Sequence, residues 1–566
     1  MHAGTPSGRQ VLTKAVKKQW RTVASSSVFG ASHQAGEAMV PVLIGVIIDR
    51  AVATGVVSAL IWWIVVLAAL FIGLSFSFRF AARAAERAAE QAAHRIRIEL
   101  TERVLDPRGG AESGRLSGVL TNIATEDAKR VGAINMAVPM GLSALTALLV
   151  AAVALLNVSV PLGLLVLLGT PPLLWSAHLL GKPLERRTEV EQERAGHASG
   201  TATDLVRGLR VLKGIGAEDA ALSRYRRTSQ DSLVATLRAA RAQAWHDGTM
   251  LALTGIFIAV VALVGGRLAA QGDISIGGLV AAVGLAQFLL GPLTNFAFVN
   301  GEFAQARASS ARVAAVLAAP PAVASGNGRL PDTVAGRVRL CGVTHGALHK
   351  VDLDIAAGEM VGVVASAAAA TALLECFGRD ADPAAGSVEL DGVALADVPP
   401  GDVRAAILVA AHDADLFEGS LIDNVTAALA RGAGSAGVQR ALSAAAVDEV
   451  AQSLPHGVDT MIAERGRSLS GGQRQRVALA RALVADPPVL LVHDPTTAVD
   501  TVTETRIAAE IREIRRSRTT IMVTTSPALL AATDRVVVLD GGVVSLEGKH
   551  ADLVHEHTGY RCAVLS

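Results

Sequence analysis

The sequence predicts an all-α membrane domain of six spanning helices followed by a soluble α/β domain, and three observations lead there. Of 566 residues, 51% are apolar, and the mean hydropathy is +0.42; at this length that points to several membrane spans rather than one large soluble core. Six apolar segments, each near the roughly 20 residues a span needs, precede residue 300. Beyond a Pro, Gly, Ser and Ala-rich stretch, short β-branched runs alternate with helical patterns, as a largely parallel sheet requires. The expected domains are residues 1–317 in the membrane with two long cytosolic loops, a linker at 318–336, and an α/β domain at 337–566.

The membrane segments fall at 22–48, 58–78, 136–156, 159–181, 248–270 and 275–298. Arg9, Lys14, Lys17, Lys18 and Arg21 precede the first apolar run, which is long and ends in no small-residue cleavage site. It reads as a retained span and not a signal peptide. Short links at 49–57, 157–158 and 271–274 alternate with long polar stretches at 79–135 and 182–247. The long stretches hold the positive charge, including Arg79, Arg83 and Arg87 in the first and Arg186, Arg187 and Arg207 in the second. By the positive-inside rule both are cytosolic, as is the N-terminus.

Each long stretch reads as helix, turn, helix. From Phe80 to Val104 the chain is alanine-rich with interleaved charge, and Asp106-Pro107-Arg108-Gly109-Gly110 stops it. About 25 residues carry such a helix roughly 40 Å beyond the bilayer.

His33, Gln34 and Glu37 interrupt the first span, with 33 and 37 one helical turn apart. Ionisable groups at membrane depth are costly and face a cavity or a partner. This face is a candidate for contact with a transported substrate; interhelical hydrogen bonding is the competing reading. Gln287, Asn295 and Asn300 in the last span are weaker candidates, and Trp62 and Trp63 mark an interface.

Composition bounds the partners. With Lys and Arg at 52 against Asp and Glu at 51, and aromatics at 3%, neither phosphate neutralisation nor stacking favours nucleic acid. Cys341, Cys376 and Cys562 have no ligand-like spacing and read as reduced thiols.

From Ala318 to Gly336 the stretch AAPPAVASGNGRLPDTVAG shows no period and reads as a linker. Strands are expected at Val338–Val343, Met360–Ala365, Ala406–Ala410, Val489–His493, Thr520–Thr525 and Arg535–Leu539, with Asp540-Gly541-Gly542 turning a terminal hairpin. Leu469-Ser470-Gly471-Gly472-Gln473 stands directly before a run of helix formers, so backbone N–H groups and the positive helix end face an anion. That makes a phosphate site.

The string LSGGQRQRVALARA resembles the signature motif of ABC transporter ATPases, and the C-terminal domain resembles an ABC nucleotide-binding domain over its entire length. Ser113-Gly114-Arg115-Leu116-Ser117 and Leu205 to Lys213 resemble the intracellular loops that couple the membrane domain of ABC exporters to the ATPase. The fold implied is an all-α six-helix transmembrane domain followed by an α/β P-loop-type ABC ATPase domain. In that family the signature reaches across a dimer interface to ATP held by the partner, which assigns Ser470, Gly471, Gly472 and Gln473 to nucleotide on the partner, with Asp500 in a D-loop-like segment.

The family's other motifs depart from pattern. Registered on Leu373-Leu374, Ala370 stands where the Walker A lysine belongs, Ala367 and Ala369 replace glycines, and Thr371 keeps the magnesium-side hydroxyl. Alanine resists positive φ, so this run is expected to extend the following helix. His493 takes the place of the magnesium-associated aspartate and Asp494 that of the catalytic glutamate, one methylene shorter. The Q-loop glutamine falls at His412 and the switch histidine at Thr525. The resemblance with these losses implies no intact catalytic residue in this chain and no metal held by it. It also implies a second ABC half-transporter with intact Walker A and Walker B motifs as partner, and ATP with Mg²⁺ at the site the two share.

The expected function is one subunit of a heterodimeric ATP-driven transporter in the bacterial inner or plasma membrane, termini cytosolic. It would export a small molecule, lipid, peptide or drug. An exporter-fold importer, for example of a siderophore, and a non-transporting scaffold are the alternatives.

Overall fold

A computed structural model describes residues 6–412, 415–429 and 435–565. The chain divides into two compact units. One comprises the chain up to Thr101 with Ser117–Ala318; the other comprises Glu102–Leu116 with the chain from Ala319 onward.

The first unit is helical throughout: α1 (Gly8–Lys17), α2 (Trp20–Ile47), α3 (Val57–Val104), α4 (Ser117–Asn122), α5 (Ala128–Val158), α6 (Val160–Arg207), α7 (Leu209–Gly214), α8 (Glu218–Gln271), α9 (Ile276–Phe288) and α10 (Leu290–Leu317). Each apolar segment lies in a helix, the last in α9 and α10 together. Among the described residues four helical stretches are long and apolar enough to cross a membrane: 57–104, 117–158, 218–271 and 276–317. The polar stalks are not separate elements. They continue the spanning helices, so α3 runs 48 residues without a proline, whereas α2, α5 and α6 carry Pro41, Pro139 and Pro171, Pro172 and Pro183.

Where α2 meets α9 the backbones touch. A Cβ on Gly277 would lie 2.0 Å from the Gly45 carbonyl oxygen, so only hydrogen fits, the small-residue packing that membrane helices use. Asp49 ties the same junction, its carboxylate accepting from the Gly277 amide at 2.9 Å and the Ser275 hydroxyl at 2.5 Å. Farther along, buried Asp127 accepts from Arg312 Nε at 2.7 Å and Ser309 Oγ at 2.9 Å, pinning α10 to the turn before α5.

The second unit is α/β. Its strands are β1 (Val338–His345), β2 (Leu348–Ile355), β3 (Met360–Ala365), β4 (Ala385–Leu390), β5 (Val393–Ala394), β6 (Ile407–Ala410), β7 (Gly419–Ser420), β8 (Met461–Ile462), β9 (Val489–His493), β10 (Thr519–Val523), β11 (Arg535–Asp540) and β12 (Val543–Gly548). The main sheet has the order β12-β11-β3-β10-β9-β6, parallel from β11 to β6 and closed by the antiparallel hairpin β11-β12. Its central strands are buried along their length, as in VLLVH of β9, because helices cover both faces. An antiparallel sheet β2-β1-β4-β5, absent from the expectation, stands beside it. Residues 318–337 carry neither helix nor strand. They are held by Arg379, buried and at φ +52, which donates to the Ala324 and Ala396 carbonyls at 2.7 and 2.9 Å.

Candidate functional site

In a parallel sheet the carboxyl ends of the strands share one edge, where ligands bind. That edge gathers the residues following β3, β6, β9 and β10: Ser366 to Thr371, His412, His493 with Asp494, and Thr525.

After β3 the chain turns directly into the helix Ala367–Gly378, and Ser366 caps it. Its Oγ accepts from the Ala369 amide at 3.3 Å, and its carbonyl accepts from the Ala370 amide at 2.9 Å. Thr371 Oγ1 donates to the Ala367 carbonyl at 2.9 Å. Ala370 is 2% exposed and packs in the cluster containing Val363, Leu373 and Val523. Four alanines in succession propagate helix without cost. The Ala369 and Ala370 amides are bound by Ser366, and Ala370 presents a methyl to the core.

His493 ends β9, its Nε2 3.8 Å from Asp494 Oδ2. Asp494 is left-handed at φ +43, a conformation that costs a residue with a Cβ, and its amide donates to Val523 O at 3.0 Å. With its proton on Nδ1, His412 donates to the Asp494 carbonyl at 3.3 Å, and the two imidazole centroids stand 5.9 Å apart. Thr525 is exposed past the end of β10. Mg²⁺ requires hard oxygen donors in octahedral array. Here the Thr371 hydroxyl donates its proton to its own helix and keeps its lone pairs, and an imidazole holds the position beside Asp494. Among the described residues no group of three or more His, Cys, Asp or Glu can hold a metal ion. An imidazole beside Asp494 is a poor replacement for a hard oxygen ligand.

The signature segment is built differently. Ser470 and Gln473 form a reciprocal cap of the helix Gly471–Val484, the Ser470 hydroxyl accepting from the Gln473 amide at 3.3 Å and the Gln473 side-chain oxygen accepting from the Ser470 amide at 2.9 Å. Gly471 and Gly472 follow at positions whose N–H groups have no intrahelical acceptor. Gly472 cannot be replaced freely, since a Cβ there would lie 2.3 Å from the Ala498 carbonyl oxygen. Gln475 fixes the facing loop by donating to Thr497 Oγ1 at 2.7 Å and accepting from the Ala498 amide at 2.9 Å. Asp500 caps the next helix through the Thr503 amide, and that hydrogen bond holds its carboxyl below the usual range. A cleft of about 510 Å³ beside Gly471 is lined by Arg465, Arg467 and Arg474 together with Asp415 and His412, three guanidinium groups against one carboxylate.

In the helical unit a second cavity, of about 480 Å³, is lined by His33, Gln34, Phe78, Met136, Asn295, Phe298 and Glu302 among others. It takes in three residues singled out above and leaves Glu37, Gln287 and Asn300 outside its lining. Glu37 acts one step back, its Oε2 accepting from Gln34 Nε2 at 3.1 Å and lying 3.8 Å from His33 Nε2. Glu302 was not anticipated, because it falls past the apolar stretch that ends at 298; the uninterrupted continuation of α10 through Leu317 is what turns it inward.

Comparison with known proteins bears on both units. The family described as "ABC transporter transmembrane region" matches residues 25–293, and that described as "ABC transporter" matches 348–497. An ATP-dependent lipid A-core flippase of Thiobacillus denitrificans is 31% identical over 407 residues, 70% of each chain. The chain belongs to the ABC transporter family. A multidrug efflux ATP-binding/permease protein of Mycobacterium tuberculosis is also 31% identical, over 79% of this chain and 38% of that one. The solved structure of a bacterial Atm1-family ABC exporter with ATP bound superposes with a TM-score of 0.75 at 23% identity, covering 97% of this chain and 98% of the other, so the fold is that of ABC exporters. This ABC transporter is therefore an integral membrane protein of exporter type, its helical domain fused to an ABC ATPase domain of the kind that binds ATP.

Proposed function

We propose that this chain is one half of a heterodimeric ABC exporter, lending its signature segment to an ATP site whose working residues the partner supplies. The observation that carries the reading is the contrast between two helix N-termini. Both helices are capped alike, by Ser470 and by Ser366, but Gly471–Val484 opens on two glycines with three arginines lining the cleft beside it, while Ala367–Gly378 opens on alanines and buries the Ala370 methyl in the core. The first sets cations and glycine backbone beside an anion; the second offers it no cation.

On this reading Ser470, Gly471, Gly472 and Gln473 close over nucleotide on the partner, Asp500 steadies the loop beside them, and Ala370, His412, His493, Asp494 and Thr525 form a site that does not hydrolyse. Residues 1–317 serve as the membrane domain, 318–336 as linker and 337–566 as ATPase, with the termini and both long loops in the cytosol. The names of the relatives, a lipid A-core flippase and a multidrug efflux protein, favour an amphipathic cargo moved outward.

ATPase activity of this chain purified alone, and then with a candidate partner, tests the proposal. Activity only in the pair, lost when the partner's catalytic glutamate is changed and reduced by Ser470→Ala, supports it; ordinary turnover by this chain alone overturns it.

A further inference from the structure

We infer that the membrane cavity takes an amphipathic amine, with Glu302 as its counter-ion and Gln34 as a hydrogen-bond acceptor, and that it excludes phosphorylated lipids. The inference rests on the proposed transport function and gives its cargo a chemical class.

Apart from Asn295, the polar groups of the cavity are spent donors and open acceptors. Ser26 Oγ donates to the Ala81 carbonyl at 2.9 Å and Ser143 Oγ to the Pro139 carbonyl at 2.8 Å, so both lining hydroxyls are committed to backbone. His33 Nδ1 donates to the Leu74 carbonyl at 3.0 Å, which leaves Nε2 an acceptor in the neutral ring. The Gln34 amide is oriented by its donation to Glu37, and Gln34 Oε1 is then buried with no partner, a state that is costly until a donor arrives. Glu302 adds a carboxylate, Asn295 carries both a donor and an acceptor, and among the described residues no lysine or arginine lines the cavity. A phosphorylated headgroup in this low-dielectric site would meet the Glu302 carboxylate and, among the described residues, no lysine or arginine.

An ammonium has the opposite properties. It carries three donors and no acceptor, pairs with Glu302, and satisfies Gln34 Oε1. Phe78 and Phe298 offer apolar faces for the body of the molecule and a π surface for its charge. The volume of about 480 Å³ lies in the range of small-molecule sites, roughly 300–1,000 Å³.

Four probes that share one tail separate the possibilities: 4-phenylbutylamine, 4-phenylbutanol, 4-phenylbutyrate and 4-phenylbutyl phosphate. Their binding is measured by equilibrium dialysis to the full chain with its partner, in phosphatidylcholine nanodiscs without nucleotide. The amine is expected to bind at least about tenfold more tightly than the alcohol, the worth of one charge-assisted contact, with the two anions weakest. Glu302→Gln should bring the amine down to the alcohol while leaving the alcohol unchanged, and Gln34→Leu should weaken the amine several-fold further. Phosphate binding equal to or tighter than the amine overturns the inference, as does an amine-to-alcohol ratio unmoved by E302Q. Should E302Q lose the alcohol too, the ranking of the four probes on the unmodified protein decides. Because no nucleotide is present, a failure here leaves the ATPase assignment standing, and a failure of that assignment leaves this ranking readable.

Discussion

Arg404 donates to the carbonyl of Pro107 at 2.8 Å. The same guanidinium donates to the Gly378 carbonyl at 2.8 Å, the Arg379 carbonyl at 3.1 Å and Asp380 Oδ1 at 2.9 Å. One side chain thus fastens the turn after α3 to the end of the helix that begins at Ala367.

Removing that fastening should separate ATP turnover from transport. For Arg404→Ala in the assembled pair, transport is expected to fall about tenfold, the loss of one charged hydrogen bond, with ATPase changed less than about twofold. Substrate flux and phosphate release measured on the same proteoliposomes check it; equal losses in both would mean a role in stability alone.

The turn itself should soften in acid. Hydrogen bonds from Arg108 hold the Asp106 carboxyl down at about 2, below its ordinary value near 4. A lowered pKa means the stabilisation is fully present above about pH 4 and is lost as pH falls toward 2. Arg108 is exposed and Asp106 half-buried at the surface, so the pair is worth about 1 kcal/mol. Hydrogen exchange at the Arg108 amide, which donates to Asp106 Oδ1 at 3.0 Å, should lose protection between pH 4 and 2, and Asp106→Asn should abolish that pH dependence.

Gly472→Ala should reduce the ATPase of the pair without unfolding the domain. The added methyl would collide with the Ala498 carbonyl and shift the loop Thr497–Asp500, at about 1–3 kcal/mol. Thermal unfolding and ATPase of the variant pair measure the two effects; an unchanged rate would remove this contact from the mechanism.

Ala370→Lys alone should restore no hydrolysis. The position is buried in an apolar cluster, and an ammonium there costs several kcal/mol. A lower melting temperature with no gain in ATPase is expected, and recovered turnover in that single variant would refute the account of Ala370. Working residues here cannot return one at a time.

Much of the architecture was legible because its signals are long. Six apolar segments and the buried runs MVGVVA and VLLVH need no tertiary information. The sheet β2-β1-β4-β5 was not, since LHKVDLDI buries only every second or third residue and its charged positions resemble loop. The alanine run after β3 was legible as helix from propensity alone, and the structure starts that helix at Ala367. The cavity was legible only in part. His33 and Gln34 stand out as polar groups in an apolar run, while Glu302 lies in polar sequence and gains its meaning from the direction of α10, which a one-dimensional pattern does not carry.

The length of α3 has a mechanical meaning. Its 48 residues make a rod of about 70 Å, and no proline interrupts it to act as a hinge. A tilt of about 10° at one end sweeps the other through roughly 12 Å. The helix is therefore a stiff rod with no built-in proline hinge, so a rotation imposed at one end is carried along its length instead of being absorbed at a kink.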